Sequence, residues 1–168
     1  MTIFIRRARR GLAAAAAVFT AAACAAADEP AASGVAAVGL ACEWLTDPLG
    51  IDEREPRLSW RMEDPARARG QRQTAYRILA AGSPEALARG AGDLWDSGWT
   101  ASDRSVLVPF GGRPPASGQT CHWKVRVRDR DGRASAWSAP ARFTMGLLEP
   151  DDWRGPWIRH PSAPAEKH

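Results

Sequence analysis

Nine residues in the last third of the chain constrain its fold more than any others. Between residues 121 and 129, Cys121, Trp123, Val125 and Val127 alternate with His122, Lys124, Arg126 and Arg128. Successive side chains of a β-strand point to opposite faces, so this two-residue period separates an apolar face from a charged one. A helix would scatter the same residues around its circumference. A strand of this kind must cover its apolar face, and an antiparallel sheet does so by packing on a second layer. Asp131-Gly132 follows with the residues of a hairpin-type turn.

The rest of the body keeps the same pattern. Residues 40–45 read as a first strand, closed by Asp47-Pro48-Leu49-Gly50. In residues 57–62, Leu58, Trp60 and Met62 share a face, and Asp64-Pro65 ends the run. Residues 73–81 set Ala75, Arg77 and Leu79 opposite Thr74, Tyr76 and Ile78. Ser83-Pro84-Glu85 has the order of an N-cap, a first-turn proline and a first-turn acid, which predicts a short helical turn to residue 89. Residues 94–97, 105–110 and 141–145 supply the remaining strands. Seven short strands with turn signals about every 8–12 residues predict an all-β fold, a two-sheet antiparallel sandwich. Trp60 and Trp123 are its expected centre, with Tyr76 beside them.

The first 37 residues are different. Arg6, Arg7, Arg9 and Arg10 precede 13 apolar or small residues at 11–23, and no acid occurs before Asp28. That stretch is shorter than the roughly 20 residues a membrane span needs, and it fits an export signal. The formal net charge of +4 belongs to this segment. Without it, the remaining basic and acidic side chains balance, which removes the case for a nucleic-acid partner. Two processing routes fit. Ala21-Ala22-Ala23-Cys24 matches a bacterial lipobox except for Ala21 in the place of the usual Leu, and would make Cys24 a lipidation site. Ala25-Ala26-Ala27 suits ordinary cleavage. Either route places the protein outside the cytoplasm: periplasmic, extracellular or lipid-anchored at the cell surface.

Several fragments occur in one order: Leu58-Ser59-Trp60, Gln73-Thr74-Ala75-Tyr76, Leu94-Trp95-Asp96-Ser97-Gly98, Trp123-Lys124-Val125-Arg126-Val127, Ser135-Ala136-Trp137-Ser138, and Asp152-Trp153 to Trp157-Ile158. Together, over residues 40 to 158, they resemble the N-terminal fibronectin type III-like, or immunoglobulin-like, domain of bacterial α-L-rhamnosidases of glycoside hydrolase family 78. The resemblance implies a non-catalytic accessory domain; a stand-alone carbohydrate-binding module and a cell-surface interaction domain are the alternative readings of the same sandwich. In that family, carboxylates of a downstream helical barrel act as general acid and base, and such a barrel does not fit in these 168 residues. It also implies two partners: the downstream catalytic domain and rhamnose-containing glycans. Cys121 departs from the family, which tends to have an aromatic there. The expected organisation is a signal segment at 1–24, an Ala-rich linker at 25–38, the sandwich at 39–147, and a linker with the start of a second β domain at 148–168.

Candidate sites are few. Asp52, Glu53 and Glu55 form the dense acidic cluster, but among Arg54 and Arg57 they read as a solvated loop, so no catalytic residue is assigned. Trp95, Trp99, Trp153 and Trp157 are candidates for sugar or interdomain contact. Trp137 has a structural alternative: its Ser-x-Trp-Ser segment is similar to receptor modules in which Trp lies between arginines, here Arg126 and Arg128. Cys42 and Cys121 fit either a disulfide or two buried thiols. His122, His160 and His168 lack metal-ligand spacing, and no pattern asks for a cofactor.

Overall fold

A computed structural model describes residues 33–156. The signal segment, Cys24 and Trp157 lie outside the described residues. The elements run β1 (Ala36–Cys42), β2 (Arg57–Glu63), β3 (Ala75–Ala81), α1 (Pro84–Ala88), β4 (Trp95–Asp96), β5 (Val108–Pro109), β6 (Thr120–Arg128), β7 (Ala141–Thr144) and a 3-10 turn at Pro150–Asp152. They form two antiparallel sheets, β1-β2-β5 and β4-β3-β6-β7. Strand β6 is central in its sheet, pairing β3 from Ala75↔Arg128 to Ala81↔His122 and β7 from Thr120↔Thr144 to Trp123↔Ala141.

The core lies where the period-two pattern predicts. Cys121, Trp123, Val125 and Val127 are buried against Leu58 and Trp60 of the other sheet. The two central tryptophans differ in polarity. Trp60 donates its indole N–H to Gln73 Oε1 at 2.9 Å, and the Gln73 amide is held by the carbonyls of Ser102 and Arg104. Trp60 also meets Tyr76 edge-on, with ring centroids 5.2 Å apart. Trp123 Nε1 has no acceptor among the described residues. Strand β3 is covered on both faces: Ile78 and Ala80 enter the main core, while Leu79 and Ala81 pack outward on Leu87 of α1 and on Trp137. Ser83 Oγ caps α1 by accepting from Ala86 N–H at 3.1 Å, as its sequence predicts.

The largest departures from the expected boundaries fall in two strands, each for a local reason. Strand β1 begins at Ala36, inside the Ala-rich stretch expected to be linker, because Val35, Ala37 and Leu40 are buried in the core. It ends at Cys42 instead of residue 45. Cys42 and Leu45 exchange backbone hydrogen bonds around Glu43 (φ 48°) and Trp44 (φ 68°), a tight reversal with two left-handed residues. The predicted strand at 105–110 shrinks to Val108–Pro109. Leu107 is left-handed at φ 50°, and Arg104 caps the carbonyls of Val106 and Leu107, which therefore do not enter a ladder.

After the Cys42–Leu45 turn the chain changes sheets. Residues 47–51 run beside β7 and its extension, with a parallel bridge Ile51↔Met145. Asp47 Oδ1 accepts from Arg142 N–H, and Thr144 N–H donates to the Pro48 carbonyl. One stretch of chain thus stitches the two layers together.

The turn after β6 is organised by Asp129, whose side chain is fully buried. Its carboxylate accepts from Ser33 Oγ, from the backbone N–H of Asp131 and Arg133, and from the Arg133 guanidinium. Burial by itself raises its pKa, but the Ser33 hydroxyl, the two N–H groups and the Arg133 charge outweigh that and hold it below the usual carboxylate value. A carboxyl with a lowered folded pKa contributes its full stability above the unfolded pKa, about 3.9, and loses it as pH falls through the folded value. Asp129→Asn should therefore cost about 2 kcal/mol at neutral pH and should flatten the acid limb of stability. Urea titrations between about pH 7 and pH 2 check both.

Candidate functional site

Two regions outside the core hold the residues singled out by sequence: the outer face of the four-stranded sheet and the end where the chain exits. The first is built by the segment Ser135-Ala136-Trp137-Ser138. Ser135 N–H donates to the Val127 carbonyl at 2.8 Å, and Ser138 N–H to the Val125 carbonyl at 2.9 Å. In return, Val127 N–H donates to Ser135 Oγ at 3.0 Å and Val125 N–H to Ser138 Oγ at 3.1 Å. Each serine thus satisfies one N–H and one C=O of β6 where no strand is paired. This registration sets Trp137 over the charged face of β6.

There, rings and cations interleave. The Lys124 ammonium and the Arg126 guanidinium lie 4.9 and 4.8 Å from the Trp137 ring centroid. Arg126 and Arg128 lie 4.8 and 4.3 Å from the Trp99 centroid. Same-face residues of a strand stand about 6.6 Å apart, room for one ring between each pair. Arg77 approaches Trp137 from β3 at 5.9 Å and is paired bidentately with Asp96, whose pKa it lowers. The expected Arg–Trp packing is present with one correction. Arg126 flanks Trp137, but Lys124 takes its other neighbouring position, and Arg128 belongs to Trp99.

The remaining tryptophans separate clearly. Trp95 packs against Phe110 with centroids 5.0 Å apart and the rings tilted by 59°. An ideal Cβ at Gly112 would sit 2.4 Å from Trp95 Cβ, so the chain closes over the residue and makes it a packing group. Trp99 is enclosed in the ladder. Trp153, in contrast, is 53% exposed at the exit.

The exit itself is fastened down. Residues 148–152 were expected to be linker. Instead, Gly146 N–H donates to the Ile51 carbonyl at 2.7 Å and Leu148 N–H to Ser117 Oγ at 3.0 Å. Ser117 Oγ donates to Asp152, lowering the pKa of that carboxyl. Arg54 reaches the Leu148 carbonyl at 2.9 Å and Glu149 at 2.6 Å, which accounts for the arginine within the acidic loop. The Arg54–Glu149 bridge is exposed and weak by itself, yet it sits on a strap held at four other points.

Cys42 and Cys121 are free buried thiols from opposite sheets. Burial pushes each up to about 12, aided by Glu43 at Cys42 and by the neighbouring Cys42 and Asp93 at Cys121. Neither carries appreciable thiolate near neutral pH. No three His, Cys, Asp or Glu side chains cluster as a metal site among the described residues.

The two stacked antiparallel sheets, of three and four strands, define an immunoglobulin-like sandwich, a class that carries many unrelated functions. Residues 37–149 match the Rha78A-like, N-terminal immunoglobulin domain, and the chain belongs to that family. It is 46% identical over 123 residues to an α-L-rhamnosidase of Streptomyces avermitilis, covering 73% of this chain and 11% of that protein. A Formosa agariphila α-L-rhamnosidase is 37% identical over 120 residues, covering 71% and 13%. The solved S. avermitilis α-L-rhamnosidase complexed with L-rhamnose superposes with a TM-score of 0.69 at 41% identity, covering 76% of this chain and 12% of that one. The Dictyoglumus thermophilum α-L-rhamnosidase gives 0.69 at 30% identity, covering 75% and 14%. The chain spans about an eighth of the relatives it matches.

The ladder yields a stability prediction. Trp137→Ala removes a ring packed on α1 and between two cations, and should cost about 3 kcal/mol. Arg126→Met keeps the stem but not the charge and should cost about 1–2 kcal/mol. Urea unfolding of both variants checks the ranking.

Proposed function

We propose that this chain is the non-catalytic N-terminal accessory domain of an exported α-L-rhamnosidase-like protein, and that it holds the following part of the polypeptide in a fixed orientation. The observation that carries this reading is the strap at residues 146–152. A passive linker would leave its backbone groups to water. Here Ser117, Arg54 and Ile51 take them up at the point where the chain leaves the sandwich. A strap fastened at the exit fixes the point and direction from which the following polypeptide leaves, which narrows the relative motion that adjoining domains otherwise have.

Catalysis is assigned to the rest of such a protein. Inverting glycoside hydrolysis needs two carboxyls about 6.5–9.5 Å apart across a sugar. Asp52, Glu53 and Glu55 stand on the exposed loop around Arg54 and line no cavity that could hold a sugar between them. Sugar stacking at Trp95 or Trp99 is not part of the proposal, because Phe110 and the two arginines occupy their rings. Rhamnose-containing glycans are accordingly assigned to the following domains.

Incubating the purified chain with an aryl α-L-rhamnoside should give no turnover above buffer. Activity that copurifies with the chain through successive columns would overturn the accessory reading. Export is proposed from the arginines and apolar run at the N-terminus, with Cys24 as a lipid anchor. Expressed in a bacterial host, the chain should partition with membranes and gain the mass of a diacylglycerol. Cys24→Ser should release it to the soluble exported fraction. Retention of unprocessed wild-type chain in the cytoplasm would sink the export proposal.

A further inference from the structure

Six large apolar side chains are exposed among the described residues: Trp44, Leu45, Leu49, Val106, Leu147 and Trp153. All but Val106 belong to two segments, residues 44–49 and 147–153, and these segments are neighbours. Thr144 N–H donates to the Pro48 carbonyl at 3.0 Å, and an ideal Cβ at Gly146 would lie 3.3 Å from the Gly50 carbonyl oxygen. Leu49, 78% exposed, and Leu147, 51% exposed, therefore emerge on either side of one backbone contact. Each segment also carries an ion pair: Glu43, next to Trp44, with Arg57, and Glu149, between Leu147 and Trp153, with Arg54, each at 2.6 Å. Exposed apolar residues gathered on adjoining segments, with paired charges between them, are the anatomy of an interaction surface.

Trp44 adds an independent observation. It is 64% exposed and left-handed at φ 68°. Both central residues of its turn are left-handed, a geometry that favours Gly and Asn, so local folding physics selects against tryptophan here. A bulky apolar side chain kept at a strained, solvent-facing position is accounted for by contact with something else.

We infer that this end of the sandwich is a docking face for the domain that follows in the same polypeptide, with Trp44 and Leu49 as its anchors. The inference rests on the accessory-domain reading. The occupant is indicated by the path of the chain. Trp153 is part of the face and lies on the exit strap, so whatever follows emerges directly beside it. The relatives extend far beyond the region matched here, which fills only 11% to 13% of their length. Covalent attachment gives the next domain an effective concentration in the millimolar range, enough to cover a modest apolar patch.

The test is a chimera: the S. avermitilis α-L-rhamnosidase with its matching N-terminal segment replaced by this chain, compared with the isolated chain by hydrogen exchange. Residues 44–49 and 147–153 should exchange at least about tenfold more slowly in the chimera. Trp44→Gly with Leu49→Ser should abolish that protection, and Trp44→Gly alone should leave the isolated chain's Tm unchanged or raise it. Unchanged exchange at both segments in an active, folded chimera overturns the docking face and leaves the accessory reading standing. Full stability and activity of the enzyme with the whole module deleted overturns the accessory reading itself. Sedimentation of the isolated chain as a dimer that Trp44→Gly and Leu49→Ser dissociate assigns the face to a second copy and overturns the proposal. Independently of the chimera folding, the isolated chain should bind an apolar fluorescent dye and lose it in the double variant. Absence of dye binding by the wild-type chain also overturns the proposal.

Discussion

Strand β6 has to satisfy two environments at once, and both sheets are arranged around how it does so. On its inner face, Trp123, Val125 and Val127 close the space between the layers. On its outer face, Lys124, Arg126 and Arg128 stand too close together to be left to mutual repulsion in a partly dry setting. Trp137 and Trp99 separate them and spread the charge over π faces. The serines that bring Trp137 into place also satisfy the β6 backbone where no neighbouring strand does so. Core, ladder and hydrogen bonding are three consequences of one strand's position at the centre of its sheet.

The strap at residues 146–152 is separate from that scaffold. The domain's exposed apolar residues are concentrated near the exit, and its polar contacts there serve to fix the backbone. No arrangement of carboxylates around a cavity competes for the role of reaction centre among the described residues.

The strands with strong alternation were legible in the sequence. In β6 and β2 the apolar residues are buried with a two-residue period, and the exceptions are polar: Ser59 and Arg126 are buried as well, Ser59 accepting from Leu107 N–H and Arg126 between two rings. The Ser135–Ser138 segment was legible as a Trp–Arg device, though not in its register. The same-face positions 124, 126 and 128 were evident, but which ring would sit between which pair depended on where residue 99 crosses β3. Strand β1 was misplaced because alanine has little strand preference and its burial is imposed by the opposite sheet. The turn at Glu43-Trp44 was hidden for a different reason: nothing in that dipeptide announces left-handed backbone. The strap at 148–152 was invisible, since its partners Arg54 and Ser117 are far away in sequence. Trp44 fits the alternation of a strand through residue 45, and its exposure follows from β1 ending at Cys42.

The parallel run of residues 47–51 beside β7 has a mechanical meaning. Force transmitted from a tethered N-terminal side to a partner pulling at the exit would travel along both segments in opposite senses. The hydrogen bonds around Ile51, Thr144 and Gly146 lie across that line, so they would be loaded together in shear and could not open one at a time.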